Sequence, residues 1–251
     1  VCMLSDAPAL EALLSGAREV AARTHAYVLR MDPDVPAQDA AFRGEMARLG
    51  AVLLPDAGNL EHIQAQHVMR IALTGRTPEE VFAAFRPKTR YNVRVAMRHG
   101  VTVRAVDETY LDDFCALMQQ TGLRDGFAVR KRAYFEAVLR NLEKQAQLYM
   151  AFAPDGTPLA GAIAAWGGGK MLYLYGASAN RQRALMPTYL LQWHMICEAM
   201  ARGCAVYDLR GVPLDPQHSP IAGLYRFKSG FGGQRVDFVG EYHVIYRPVL
   251  Y

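Results

Sequence analysis

The chain has 251 residues, of which 51% are apolar and 21% charged, so it can form one large or two small hydrophobic cores and is neither disordered nor fibrous. No apolar run approaches the roughly 20 residues that a membrane-spanning helix needs. The net charge of +4 is too small to indicate nucleic-acid binding by itself. The four cysteines and seven histidines lack the spacing of metal ligands, which favours reduced thiols and structural histidines.

Helical and strand periodicities alternate through the first part of the chain. Thr77, Pro78 and Glu80 form the pattern of a capping box, in which threonine and glutamate side chains satisfy backbone N–H groups at a helix start. The predicted helices here are 7–22 with Asp6 as its N-cap, 37–49, 77–85 and 88–99, and the predicted strands are 25–31, 51–54 and 67–73.

The remainder of the chain opens with a strand and alternates again. The segment PDGTP between two apolar runs predicts a β-hairpin, and Gly203 is placed to end a long helix. The predicted strands are 101–106, 148–153, 159–166, 171–175, 205–209, 235–239 and 242–246, and the predicted helices are 110–120, 131–145, 187–202 and 221–228.

From Val101 onwards this order resembles the GNAT acyltransferase fold, an α/β (α+β) architecture in which a mixed sheet has helices on both faces. The elements of 7–73 repeat the order of those that follow residue 186, and an internal repeat indicates two GNAT-like units in tandem. We assign 67–239 to the second unit, and 1–66 with strands 240–251 to the second half of an incomplete first unit. We therefore expect several tens of residues before Val1.

The segment before the long helix bears on the acyl donor. GNAT enzymes typically hold the pyrophosphate of acetyl-CoA on the backbone N–H groups of a glycine-bearing loop at a helix start. Here the corresponding segment, 178–191, reads SANRQRALMPTYLL and contains no glycine. Pro187, which has no N–H group, stands where the helix begins. This segment weakens the case for acyl-CoA as the donor.

Two stretches contain candidate functional residues. In 207–233 (YDLRGVPLDPQHSPIAGLYRFKSGFGG), Lys228 ends a short helix; it is either a lysine favoured by the helix dipole or the cation of an acyl-transfer site. His218, in the preceding loop, is a candidate for proton transfer. In 86–104, six basic residues occur without an acidic one, which suits either a phosphate-bearing partner or a solvated helix face. They are Arg86, Lys88, Arg90, Arg94, Arg98 and Arg104.

Four segments together resemble the Fem family, also called FemABX. They are KTRYNVRVAMRHGV (88–101), YLYGAS (173–178), YDLRGVP (207–213) and LYRFKSGFGGQRVDFVGEYHVIYRPV (224–249). Members of the family are non-ribosomal peptidyltransferases. They join an amino acid from aminoacyl-tRNA to the side-chain amine of the third stem-peptide residue of a UDP-linked or lipid-linked muramyl peptide. The layout is closest to FemX-like members, because no heptad stretch for the two-helix arm of other members is present.

The resemblance implies a role for Lys228 and its neighbour. Lys228 would stabilise the negative charge that develops at the transferred ester, and Phe227 would border the site with its main chain. An aminoacyl ester is already activated, so an enzyme of this kind needs positioning and a cation rather than a covalent nucleophile. The sequence shows no Ser-His-Asp or Cys-His arrangement, in agreement with that chemistry.

The resemblance also implies substrate-binding residues. Arg130 and Tyr134, one helical turn apart, and Tyr175 on a strand would contact the muramyl peptide, since a guanidinium suits its diphosphate. Asp208 would orient an amine or fix its own loop. The residues expected to contact tRNA are Arg86, Lys88, Arg90 and Arg94.

We therefore expect a cytoplasmic, monomeric aminoacyltransferase that takes aminoacyl-tRNA as co-substrate, needs no cofactor or metal, and meets the membrane only peripherally. Three alternatives remain at this stage: tRNA-dependent transfer to a small metabolite, an acyl-CoA N-acyltransferase, and a basic RNA-binding module without catalysis.

Overall fold

The structure is a computed structural model that describes residues 7–56 and 64–251, so the predicted N-cap Asp6 lies outside the described residues. Helices and strands follow the predicted order, with boundaries that differ by a few residues. The first elements are α1 (Ala7–Thr24), β1 (Val28–Met31), α2 (Ala40–Arg48), β2 (Val52–Leu53), β3 (His67–Ala72), α3 (Pro78–Ala83) and α4 (Pro87–Arg98). They are followed by β4 (Thr102–Val106), α5 (Leu111–Asp125), α6 (Arg132–Leu142), β5 (Ala146–Phe152), β6 (Pro158–Gly167), β7 (Lys170–Ser178), α7 (Pro187–Ala201), β8 (Val206–Gly211), α8 (Ala222–Ser229), β9 (Gln234–Asp237) and β10 (Tyr242–Ile245).

Local side-chain chemistry sets several helix ends. The capping box is confirmed: Thr77 Oγ1 accepts from the Glu80 N–H at 3.3 Å, and the Glu80 carboxylate accepts from the Thr77 N–H at 2.8 Å. Pro87 is the first residue of α4, where a missing N–H group costs nothing. The predicted helix end at residue 120 is wrong, because α5 continues to Asp125 and ends only at Gly126, whose φ of 76° is left-handed.

A seven-stranded mixed sheet has the strand order β4-β5-β6-β7-β8-β3-β9. Strands β4 to β7 are antiparallel neighbours, whereas β7 and β8 are parallel. Alternate residues of β5 face opposite sides: Leu148 and Met150 belong to the core formed with α5 and α6, and the Tyr149 ring packs on His194 of α7. Helices therefore cover both faces of this sheet, as predicted.

A second sheet has the order β1-β10-β2. Its strand arrangement repeats that of one end of the first sheet, where β3 lies between β8 and β9. In each case two strands joined through one helix, α2 or α8, are separated by a strand from a distant part of the sequence. The predicted internal repeat and tandem GNAT-like fold are present, and the repeat includes an exchanged strand.

The chain divides into two compact units. The first contains Val1–Val68, Gly211–Tyr225 and Arg235–Tyr251, and the second contains Met69–Arg210 and Arg226–Gln234. The predicted division, at 66/67 and 239/240, had assigned 211–225 and 235–239 to the second unit. Within the first unit, segment 235–239 bonds to the chain before α2: the Val239 N–H donates to the Val35 carbonyl at 3.0 Å, and the Ala37 N–H donates to the Asp237 carbonyl at 2.8 Å. Within the part of the chain that is described, no helix is long and apolar enough to cross a membrane.

Candidate active site

The candidate active site lies in the second unit, where β7 and β8 separate. The two strands pair only through Lys170–Leu172 and Val206–Asp208, yet β7 continues to Ser178 and β8 to Gly211. Both strands point the same way, so their carboxyl ends form the two sides of an opening in the sheet. Ligands of open α/β sheets bind at such places.

Lys228 is a buried lysine in the last turn of α8. Its residue exposure is only 5%, so it is not the solvated helix-end lysine that the sequence alone allowed. Burial lowers the pKa of Lys228 from the ordinary 10.5 to about 7. The nearby Asp208 carboxylate opposes this shift in pKa, and the Arg210 guanidinium adds to it. Near neutral pH the side chain can therefore exist as a cation or as a neutral amine.

Asp208 is held by two hydrogen bonds at the last position where β8 pairs with β7. Its side chain is 1% exposed; Arg70 Nε on β3 donates to Oδ2 at 2.9 Å, and the Arg210 N–H donates to Oδ1 at 2.7 Å. A buried carboxylate needs such partners, because an unpaired buried charge is strongly unfavourable. Asp208 thus has a structural role at this position and also acts electrostatically on Lys228.

Glycines after Lys228 bring the end of α8 close to α3 and β3. Gly232 has a φ of 71°, and a Cβ added there would lie 2.5 Å from the Ala84 carbonyl oxygen. A Cβ on Gly233 would lie 2.9 Å from the Arg70 carbonyl oxygen. Only residues without a side chain allow these approaches. The FGG motif therefore places the lysine next to the strand that contains Arg70.

Phe227 contributes to an aromatic cluster behind Lys228. Its half-buried ring lies 5.2 Å from the ring centroids of both Tyr189 and Phe231, edge to face. Phe231 in turn meets Phe85 at 5.2 Å. These contacts immobilise the last turn of α8. The predicted role of the Phe227 main chain at the site stays a prediction.

Arg130, Tyr134 and Tyr175, the predicted substrate-binding residues, lie close together. The Tyr134 and Tyr175 hydroxyls are 2.7 Å apart, and the Arg130 guanidinium lies 5.4 Å from the centre of the Tyr134 ring. Burial, followed by the neighbouring Tyr134, raises the pKa of Tyr175 to about 12. Arg130 precedes α6 instead of lying within it, so the expected helical spacing is wrong although the contact exists. The reason is that Lys131 is the extended N-cap of α6.

The four predicted tRNA contacts, at the start of α4 and along it, differ in their surroundings. Arg86, Lys88 and Arg94 are exposed, and Arg94 lies over the Phe82 ring with 5.5 Å to its centroid. Arg90 is half-buried and donates to the carbonyl oxygens of Ala83, at 2.8 Å, and Phe85. Arg90 thereby caps the end of α3. The other three residues present their charge to solvent.

Two further expectations concern proton transfer and metal binding. His218, in the first unit, is exposed and hydrogen-bonded through Nδ1 to Asp215 at 2.6 Å, which raises the pKa of His218. Among the described residues, no group of three or more His, Cys, Asp or Glu is placed to hold a metal ion. Arg70 and Arg210 are the site residues without a role in the sequence analysis. The only sequence signal for Arg210 was its place in the segment DLR, at the end of a buried strand. Nothing in the sequence indicated a role for Arg70.

The fold is of the tandem GNAT type, with the opening between β7 and β8 as its candidate active site. A tandem GNAT protein of the clavulanic acid biosynthesis pathway matches 95% of this chain and 70% of its own at a TM-score of 0.54 and 15% identity, which shows the fold alone. The FemAB family model matches residues 1–154 and 152–251. The chain belongs to the FemAB family and is an aminoacyltransferase.

Relatives within the family resemble the whole chain. The lipid II:glycine glycyltransferases of Staphylococcus aureus strains USA300 and NCTC 8325 are 26% identical over 98% of this chain and 75% of their own length. Those alignments span 319 positions, more than the 251 residues of this chain, so the relatives contain insertions that it lacks. The crystal structure of FemX superposes with a TM-score of 0.92 at 26% identity and covers 100% of this chain and 80% of that one.

Proposed function

We propose that this enzyme forms a peptide bond between an amino acid carried by tRNA and the side-chain amine of a peptidoglycan stem peptide. Lipid II and glycine are in the name of the Staphylococcus aureus relatives, which supports peptidoglycan-bridge synthesis as the process. The single observation on which the chemistry rests is the buried Lys228, beside Asp208, where β7 and β8 part. Because charged tRNA is made in the cytoplasm, we expect the enzyme to act there. We also expect it to act as a monomer and without a cofactor.

The reaction proposed is aminolysis of an ester. The acceptor amine attacks the carbonyl carbon of the aminoacyl ester, a C–N bond forms, and the negative charge passes to the carbonyl oxygen. The C–O bond to the ribose then breaks, and the ribose hydroxyl leaves with the proton that the amine gives up. An ammonium group in a dry site stabilises the developing oxyanion far more than one in water does. Lys228 in its protonated form would supply that group.

The remaining residues have supporting roles in this proposal. Arg130, Tyr134 and Tyr175 bind the sugar-nucleotide or lipid-linked part of the acceptor, for which a guanidinium over hydrogen-bonded phenols is suited. The exposed Arg86, Lys88 and Arg94 bind tRNA phosphates. Arg90 is the least suited of the four predicted contacts, because it already binds backbone carbonyls.

The test is direct transfer. Purified protein is incubated with radiolabelled aminoacyl-tRNA and either UDP-linked muramyl pentapeptide or lipid-linked acceptor, and labelled acceptor is counted. We expect transfer to one acceptor and a loss of about 100-fold or more in kcat with Lys228→Met. Absence of transfer to both acceptors with a panel of charged tRNAs would refute the proposal, as would full activity of the Lys228→Met variant.

The acyl-CoA alternative predicts a different ligand. Gln182 and Met186, before α7, have left-handed backbones without being glycine, and Pro187 is the first residue of α7. Such a helix start offers fewer N–H groups to a pyrophosphate. A thermal-shift comparison separates the two: acetyl-CoA should leave the melting temperature unchanged, whereas the muramyl-peptide nucleotide should raise it.

A further inference from the structure

One face of α4 combines an exposed aromatic ring with basic side chains. Lys88, Tyr91, Arg94 and Arg98 follow one another at intervals of three or four residues, the spacing that brings side chains to one side of a helix. All four are exposed, Tyr91 by 58%. No acidic residue occurs between residues 81 and 106. The face therefore differs from an ordinary solvated helix face, along which charges of both signs alternate.

The opposite face of α4 is packed within the second unit. Its buried residues include Asn92, Val93 and Ala96, and the helix packs against α7. The basic face is therefore the side of α4 that is left to solvent. On this side the Arg98 guanidinium lies over the Tyr91 ring, with 5.8 Å to the ring centroid. The cation–π contact keeps the ring beside its basic neighbours.

The start of α4 is attached to the chain that follows Lys228. The Arg86 N–H donates to the Gly230 carbonyl at 2.9 Å, and a Cβ added to Gly230 would clash with Thr89 Oγ1. Tyr91 follows Thr89 by two residues, which turns its side chain about 200° around the helix axis. An α-helix with its side chains is about 10–12 Å across, so Tyr91 lies roughly one helix diameter from this attachment.

These features fit the unpaired end of a charged tRNA. The reactive ester is on the ribose of the last nucleotide, and the nucleotides before it are single-stranded. With that ribose at Lys228, as the proposed function requires, the strand reaches Tyr91 within a few nucleotides. Proteins hold single-stranded nucleic acid by placing cations against phosphates and by stacking bases on aromatic rings. A helix that lies on an anionic membrane has a continuous apolar face instead, whereas here basic residues flank a single ring.

We propose that Tyr91 is a stacking platform for an unpaired base near the 3′ end of the tRNA, with Lys88, Arg94 and Arg98 against the flanking phosphates. The inference rests on the proposed function, because it specifies how the donor of the same reaction is held. Every base has a π-face, so stacking of this kind does not depend on the base. The phosphate contacts supply affinity, and the ring fixes the position of the strand that ends in the ester.

The experiment measures the binding of two RNA hairpins to the full chain by fluorescence anisotropy at one salt concentration. One hairpin has an unpaired 3′ overhang, and the other has abasic nucleotides in the overhang, so both have the same number of phosphates. We expect the wild type to bind the first about 10-fold more tightly, which is the scale of one stacked base. Tyr91→Leu and Tyr91→Ala should bring the ratio of the two affinities close to 1. Tyr91→Phe should keep the ratio, since phenylalanine retains the ring.

Two controls separate stacking from other effects. Met97→Ala changes another exposed apolar residue of the same helix and should keep the wild-type ratio. The slope of log affinity against log salt concentration should be the same in Tyr91→Leu as in the wild type, because no charge is lost. Lys88→Gln should make that slope shallower and leave the ratio between the hairpins in place.

The possible results distinguish this inference from the proposed function. If the wild type binds both hairpins equally, or if Tyr91→Leu keeps the ratio, the stacking platform is wrong and the proposed reaction is untouched. If Tyr91→Leu weakens binding to phosphatidylglycerol vesicles and leaves the hairpin ratio unchanged, the face contacts a membrane and the inference is refuted. If the wild type binds neither hairpin but transfers an amino acid from charged tRNA, only this inference fails. If it does neither, the proposed function fails as well.

Discussion

The low pKa of Lys228 makes a prediction about stability that does not require substrate. A lysine with a pKa of about 7 in the folded chain and 10.5 when exposed binds fewer protons folded than unfolded between those two values. Stability therefore rises with pH over that window, and the unfavourable contribution of Lys228 is fully present below about pH 7. Lys228→Met removes this contribution, while Asp208 keeps its ion pair with Arg70.

The magnitude follows from the two pKa values. One pKa unit corresponds to about 1.4 kcal/mol, so the wild type should gain about 2 kcal/mol relative to Lys228→Met between pH 7 and pH 9. The variant should be the more stable protein at pH 7, and the difference should shrink as the pH rises. The urea dependence of unfolding, measured at several pH values for both proteins, gives the comparison.

Lys144 supplies the control, since it is an exposed lysine on the surface of the same unit. Lys144→Met should give a free energy of unfolding that parallels the wild type from pH 7 to pH 9. A flat difference between wild type and Lys228→Met over the same range would mean that Lys228 is not desolvated.

The same titration separates two chemical roles of Lys228. If the ammonium stabilises the oxyanion, as proposed, kcat should fall as the pH rises through the pKa of about 7. If the neutral amine takes the proton of the acceptor, kcat should rise over the same interval. A pH profile of single-turnover transfer therefore decides between electrostatic and general-base catalysis.

Three further predictions concern other residues of the second unit. Tyr134→Phe should raise the KM for the acceptor several-fold with little loss of stability, because it removes the hydroxyl that bonds Tyr175; steady-state kinetics and thermal unfolding check both parts, and an unchanged KM contradicts the assignment. Arg94→Gln should lower tRNA affinity and reduce the slope of log affinity against log salt concentration by about 1. Arg90→Gln should chiefly lower the melting temperature, because Arg90 binds backbone carbonyls. Equal effects of the two variants on tRNA binding would show that this distinction is wrong. Gly232→Ala should cost about 2 kcal/mol or more in the free energy of unfolding, since the residue is left-handed and its Cβ would meet a backbone oxygen; a near-neutral effect in urea titrations would contradict this.

Local pattern was sufficient for the elements of the fold. Capping boxes, prolines at helix starts and alternating apolar residues act within a few residues, and the helix at Thr77 and the hairpin at 153–159 formed as predicted. The end of α5 was missed, because packing of its apolar face continued the helix through Gly122 to the left-handed Gly126. The order of elements sufficed for the tandem GNAT-like fold, but the strand exchange of β3 and β10 depends on pairing between distant segments.

The residue types of the active site were available from the sequence, and their environment was not. Lys228 could be singled out by its motif, yet its burial and pKa of about 7 depend on α8, β3 and β8 meeting in three dimensions. Arg70 and Arg210 received no role, since their contacts join residues far apart in the chain or follow from one backbone angle. Sequence alone thus identified the family and the chemistry of the transferred group. Only the tertiary structure could show which charges share the opening between β7 and β8, because the desolvation and electrostatic interactions that tune them act through space.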